Sequence, residues 1–145
     1  MSDHLNNSVV RWVALAGREV LLAYERTVGM SETRFRVLEA IADQNANMAE
    51  IQERARLDQS VVSRMMRSLE EEGVVARADP DSYRDRRHKL TAMGRALYKT
   101  ASARTAVFEQ ALTAALSPQS RHQAVEALRA ACATAASFNE GKSRA

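Results

Sequence analysis

Residues Leu57–Thr91 read L-D-Q-S-V-V-S-R-M-M-R-S-L-E-E-E-G-V-V-A-R-A-D-P-D-S-Y-R-D-R-R-H-K-L-T, and this stretch decides the fold. A periodic segment runs into a glycine and then into a short hairpin pattern whose loop is rich in arginine. Asp58 is placed to cap a helix, because its carboxylate can accept from first-turn amides. At about 100° per residue, Ser60, Ser63, Arg64 and Arg67 share one side, with Gln59 at its edge, and Val61, Val62, Met65, Met66 and Leu69 take the other. The apolar side must be buried against a neighbour. The other side combines short hydroxyls with guanidinium groups. Arginine pairs bidentately with guanine in a major groove, and serine can donate to a base edge or a phosphate. Taken alone, the same face also suits an ordinary solvated helix.

The preceding segment tips that balance. Asn47-Met48-Ala49-Glu50 has capping-box spacing, with an acid three residues after the cap. Met48, Ile51 and Ala55 then recur at helical spacing, and Arg56-Leu57 forms a short turn before Asp58. A helix, a tight turn and a second helix with a basic N-terminal half make a helix-turn-helix. Glycine is common in such turns, and Arg56 stands at the position where it is expected. Downstream, Gly73 suits the residue just beyond a helix end. Val74-Val75-Ala76 reads as a strand, Ala78–Ser82 has turn composition, and Arg86–Leu90 returns. Arg84–Lys89 holds four basic residues and one acid. Basic side chains at a hairpin tip, here Arg84, Arg86 and Arg87, can reach phosphates or a narrow minor groove.

With these residues in view, the chain resembles the MarR family of winged helix-turn-helix transcription regulators. That family's wing signature is an Asp, any residue, an Arg, five residues, then Leu-Thr. Arg84 falls on the arginine when counted back from Leu90-Thr91, while the Asp position falls on Ser82, with Asp81 and Asp85 nearby. Leu90-Thr91-Ala92-Met93-Gly94 also fits the pattern L-T-x-x-G. Helix order and length match too, so the resemblance covers most of the chain. It implies a mainly α fold with a small β-hairpin wing, terminal helices from two subunits interlocked into a dimer, and double-stranded DNA as partner. It also implies a small-molecule effector, of the aromatic or phenolic carboxylate class, bound between the dimer helices and the winged domain.

Composition agrees with a folded regulator. A chain of 145 residues, 46% of them hydrophobic, is expected to form one domain with a real core. No apolar run suits a membrane span, and Met1–Ser8 is too polar for a signal peptide, so a cytoplasmic location is expected. The single cysteine excludes an internal disulfide and fits a reducing compartment. The net charge of +3 hints mildly at a polyanion partner. Glu70-Glu71-Glu72 closes the proposed recognition helix, where the helix dipole disfavours acids. That end should point away from phosphate.

The flanks explain presentation. Val9, Trp12, Val13, Ala16, Val20 and Tyr24 recur at helical spacing over about 7–28, and Gly29 ends the pattern. Ser31 caps a second helix carrying Phe35, Leu38 and Ile41. Thr91–Leu116 reads as one long Ala-rich helix, and Ser117-Pro118 starts a last one lined by Val125, Leu128, Cys132 and Ala135. These stripes exceed what the winged region can bury, and a second copy of the chain is their simplest partner. The organisation expected is a single domain over 1–145, with residues 31–91 as the winged helix-turn-helix and 1–30 and 92–145 as dimerisation helices. A two-fold dimer calls for a near-palindromic operator.

For the effector, Trp12 and Tyr24 are the aromatic residues of the first helix, with Arg11 and Arg18 able to pair an anion. Aromatic core and solvated arginines is the plain reading of the same four residues. His4, His88 and His122 are scattered without zinc-site spacing, so no metal is expected. No phosphate loop, nucleophile elbow or paired-carboxylate motif appears, so neither enzyme activity nor a cofactor is expected. Cys132 lies on an apolar stripe, where cysteine ordinarily acts as a small buried hydrophobe rather than a redox switch. Two functional classes remain: a dimeric DNA-binding repressor released by a small molecule, and a winged-helix protein-interaction module without DNA binding. Salt-sensitive binding to a palindrome separates them.

Overall fold

A computed structural model of the chain describes residues 6–142; His4 lies outside them. Two compact units form, the first ending at Phe108 and the second beginning at Glu109. The first contains helices α1 (Val9–Val28), α2 (Glu32–Ala42), α3 (Met48–Ala55) and α4 (Gln59–Glu71), then strands β1 (Val75–Arg77) and β2 (His88–Leu90). It also holds helix α5 (Ala92–Thr113) as far as Phe108. The second holds the end of α5 and helix α6 (Pro118–Lys142). The fold class is the one expected: mainly α with a two-stranded antiparallel hairpin.

Local signals set the helix boundaries. Ser8 caps α1 by accepting from the Arg11 amide at 3.3 Å, and Gly29 ends it with φ 89°. Ser31 caps α2, accepting from the Arg34 amide at 3.2 Å. Asn47 and Glu50 close the capping box of α3 reciprocally, both bonds being 2.9 Å. Thr91 caps α5 through the Gly94 amide at 3.0 Å, and Ser117 caps α6 through the Ser120 amide at 3.1 Å. A side chain at Gly94 would collide with the Val74 carbonyl, which explains the glycine after Leu90-Thr91. The Asp58 expectation needs correction. Its carbonyl starts α4 by accepting from Val62 at 3.0 Å, but its carboxylate makes no capping bond. Asp58 is exposed, where water competes with the first-turn amides for its carboxylate.

The core of the first unit is formed by the inward faces of α2, α3 and α4. Val37, Leu38, Ile41, Ile51, Val62 and Leu69 are all at most 1% exposed. Burying each such side chain contributes about 1.5–3 kcal/mol before chain entropy is counted. Tyr24 joins this core from α1, edge-on to Phe35 and Phe108 at 6.3 and 5.6 Å, while Phe35 stacks on Tyr98 at 5.7 Å. The hairpin pairs Val75 with Leu90 and Arg77 with His88. Ala46, before α3, adds a bridge to His88, with backbone bonds of 3.1 and 2.8 Å. The strands lie slightly later than the sequence pattern suggested, which leaves 78–87 as one long loop.

Among the described residues no helix is long and apolar enough to cross a membrane. In the second unit Val125, Leu128 and Cys132 are exposed, as is His122. A buried Cys132 is therefore not what this chain shows, because the stripe it lies on is itself open.

Candidate nucleic-acid interface

Helices α3 and α4 are joined by the turn that makes the helix-turn-helix. Arg56 ends α3 in the left-handed conformation, φ 52° and ψ 53°, and is the sole non-glycine residue with positive φ among those described. That conformation costs an L residue about 1–2 kcal/mol and is the reason glycine is common there. The Arg56 and Leu57 amides turn back to Glu53 and Gln52 carbonyls at 3.3 and 3.2 Å, which satisfies the end of α3 and aims α4 away from it.

On α4 the helical phase falls as the periodicity predicts. Val62, Met66 and Leu69 are buried, Val61 and Met65 are half-buried, and Gln59, Ser60, Ser63, Arg64 and Arg67 are exposed. Arg64 folds its Nε onto the Ser60 carbonyl at 3.3 Å, leaving the rest of its guanidinium available. The acidic end behaves differently. Glu72 receives a forked bond from Arg34 of α2 at 2.9 and 2.6 Å and a further bond from Ser68 at 2.8 Å. The Arg34 guanidinium, with help from Ser68, holds the Glu72 carboxyl at about 2 rather than its ordinary 4.5. Glu70 meets His88 Nε2 at 2.9 Å. The recognition helix is therefore pinned at its C-terminal end to α2 and to the base of the wing.

The wing follows from β1. Its loop closes with the Ala78 amide donating to Arg87 carbonyl at 2.8 Å. Arg84 and Arg86 are exposed in this loop. Arg87 is half-buried and donates to Glu50 at 3.4 Å, which ties the wing to the capping box of α3. Between the wing and the start of α3 lies a groove of about 480 Å³ lined by Asn47, Met48, Ala49 and Arg84–Arg87. Exposed guanidinium groups thus occupy the N-terminal part of α4 and the wing, while Glu72 and Glu70 at the end of α4 are engaged with Arg34 and His88.

Residues 28–88 match the model of the MarR family. Over that stretch the chain is similar to the MarR family. It is similar in structure to the PcaV transcriptional regulator of Streptomyces coelicolor, solved with its natural ligand. The TM-score is 0.81 at 20% identity, over 90% of this chain and 96% of that one. Bordetella bronchiseptica BpsR, whose DNA binding is regulated by 6-hydroxynicotinic acid, aligns with a TM-score of 0.77 at 22% identity, over 86% and 93% of the two chains. The M. tuberculosis regulator MOSR, solved in complex with DNA, aligns with a TM-score of 0.69 at 24% identity, over 88% and 98%. At these identities the likeness is one of fold. No curated protein sequence matches the chain.

The four effector candidates are spread along α1. Tyr24 is core, its hydroxyl 2.7 Å from Thr105 Oγ1, and burial pushes its phenol up from 10.0. Trp12 is 57% exposed, with its indole donating to the Asn6 carbonyl at 2.7 Å. Arg11 and Arg18 are exposed, Arg18 beside Glu19 at 3.7 Å. Trp12 and Tyr24 stand about 18 Å apart along the helix, at 1.5 Å per residue. A separate cleft of about 430 Å³ lies where α1 ends and α2 begins, reaching α4 and α5: Gly29, Met30, Arg34, Met65, Ser68 and Leu97 are among its walls.

Arg34, Arg77 and Tyr83 escaped the sequence reading. Tyr83 carried a usable signal, an aromatic residue in a polar turn beside Arg84, and it is 89% exposed. Arg34 and Arg77 carried none, since their partners are set by the fold.

Proposed function

We propose that this chain is a sequence-specific DNA-binding transcription regulator, a homodimeric repressor released from its operator by a small molecule. The observation that carries the reading is the exposed face of α4 — Gln59, Ser60, Ser63, Arg64 and Arg67 — projecting from a helix whose opposite face is core and whose acidic end is tied down. A DNA complex of MOSR, similar in fold, supports the same use of the fold here. Ser60, Ser63 and Arg64 read base edges in the major groove, and Arg84 and Arg86 engage the backbone or minor groove, with Arg87 bracing the wing. Such a protein works in the cytoplasm.

Assembly rests on exposed apolar side chains. Val9, Val10 and Trp12 of α1 are 69%, 79% and 57% exposed, and Leu128 and Phe138 of α6 are 52% and 73% exposed. Residues 1–30 and 92–145 are the dimerisation helices in this reading. The effector role has the 6-hydroxynicotinic acid response of BpsR as support, an aromatic carboxylate acting on a protein of similar fold. Arg11, Arg18, Trp12 and Tyr24 contribute from α1 in so far as a partner subunit brings α1 to a ligand. A ligand lowers DNA affinity only by its preference for the free shape, so DNA must weaken ligand binding by the same factor.

Selection of bound duplexes from a random pool, read with and without aromatic carboxylates, tests the function. A near-palindrome should emerge, bound with a steep salt dependence. Arg84→Ala should lower affinity and flatten the salt slope by about one phosphate contact. If no duplex is enriched at any salt concentration, the winged fold is a protein-interaction module instead. Deleting residues 1–28 should give monomer or aggregate by sedimentation; a stable, DNA-binding monomer would refute the dimer.

A further inference from the structure

The wing loop between Ala78 and Arg87 has no strand pairing of its own, so its shape must come from side chains. Asp79 accepts from the Asp81 and Ser82 amides at 3.1 and 3.3 Å, Ser82 Oγ from the Asp85 amide at 2.9 Å, and the Asp85 carboxylate from the Arg87 amide at 3.0 Å. Beneath these turns lies Arg77, the last residue of β1. Its Nη2 donates to the Asp85 carbonyl at 2.7 Å and to the Ser82 carbonyl at 3.4 Å. Its Nε is buried and without a partner. Burying part of a guanidinium this way is costly unless the bonds it does make are retained. The two carbonyls bracket Tyr83 and Arg84. With the backbone drawn inward on either side, the intervening pair is forced outward, and both side chains are exposed, Tyr83 at 89%.

We propose that Arg77 is a positioning residue for DNA recognition: it holds the Ser82 and Asp85 carbonyls under the wing so that Tyr83 and Arg84 project toward the duplex. The role rests on the DNA-binding reading above. Arg77 does not touch DNA in it. Lysine keeps the charge but cannot replace a planar, forked donor, so charge and geometry are separable at this position.

The test measures operator affinity of Arg77→Lys and Arg77→Gln, each in the wild-type chain and in a Tyr83→Ala/Arg84→Ala background. Both variants should bind about tenfold more weakly in the wild-type chain, the loss expected for one bond from a charged donor. In the double-alanine background the same changes should matter by less than about twofold, because nothing remains to position. Hydrogen exchange supplies a readout without DNA: amides of 82–87 should exchange faster in Arg77→Lys, and those of α4 should not. Wild-type affinity in Arg77→Lys, the full penalty persisting in the double-alanine background, or unaltered exchange in the loop would each overturn the role. A wild-type chain that binds no duplex defeats the DNA-binding reading itself and this role with it, whatever the exchange shows.

Discussion

The two ends of α4 are built on different principles. At the N-terminal end Gln59, Ser60, Ser63, Arg64 and Arg67 are exposed, and the sole side-chain bond there is Arg64 turning back to Ser60. At the C-terminal end Glu72 is gripped by Arg34 and Ser68, and Glu70 by His88. One end is left for a partner and the other is spent on the protein itself. A helix that must enter a groove needs rigidity behind it and unoccupied donors in front. The contrast also explains why an acidic triplet is tolerated beside a polyanion. Glu72 is matched by the Arg34 guanidinium and Glu70 by the His88 imidazole.

The buried side of α4 should respond most to mutation. Leu69 is fully buried, so Leu69→Ala should cost about 2–5 kcal/mol in urea unfolding. A loss below 1 kcal/mol would mean that the pinned end is held by its ion pairs rather than by packing. Arg64→Ala should do the reverse. Stability should stay within about 0.5 kcal/mol of wild type, while operator affinity falls by about 1–3 kcal/mol and base preference relaxes at one position per half-site. Equal weakening on all sequences would make Arg64 a phosphate clamp and end its role in base readout.

Arg34→Met sharpens the comparison from the other side. The Glu72 carboxyl is held near 2, below its ordinary 4.5, so the pair stabilises the fold above about pH 4.5 and loses its effect as pH falls toward 2. At neutral pH the substitution should cost about 0.5–1 kcal/mol, a modest figure because the pair is partly exposed. The difference from wild type should shrink in urea titrations run at successively lower pH below 4.5. A difference that does not change with pH would show that Arg34 acts by packing alone. The smallest effect is expected at the turn. Arg56→Gly should stabilise by about 0.5 kcal/mol, relief of left-handed strain being partly offset by the greater chain entropy of unfolded glycine. A net loss would reveal a contribution from the Arg56 side chain.

Much of the fold was legible because its signals are local. The caps at Ser31, Asn47 and Ser117, the glycine ends at Gly29 and Gly73, and the phase of α4 depend on residues within a turn of one another. Asp58 shows the boundary of such reading. Sequence identifies a residue suited to cap a helix, but whether its carboxylate bonds the amides or faces water depends on its surroundings. The candidate interface was equally legible on α4, where helical phase separates Met66 from Arg67. It was less so in the wing, where a long loop has no period.

The sequence by itself determined which segments are helical, which side of α4 is apolar, and that basic residues gather in its first half and in the hairpin loop. Those properties follow from backbone geometry and side-chain chemistry at short range. Only the tertiary structure decided which charges are already spoken for. Arg34 finds Glu72 across 38 residues, Arg87 finds Glu50 across 37, and Tyr24 finds Thr105 across 81. Arg77 turns under its own loop rather than outward. Such pairings depend on where the packed core places each helix and strand, and no spacing along the chain encodes that placement.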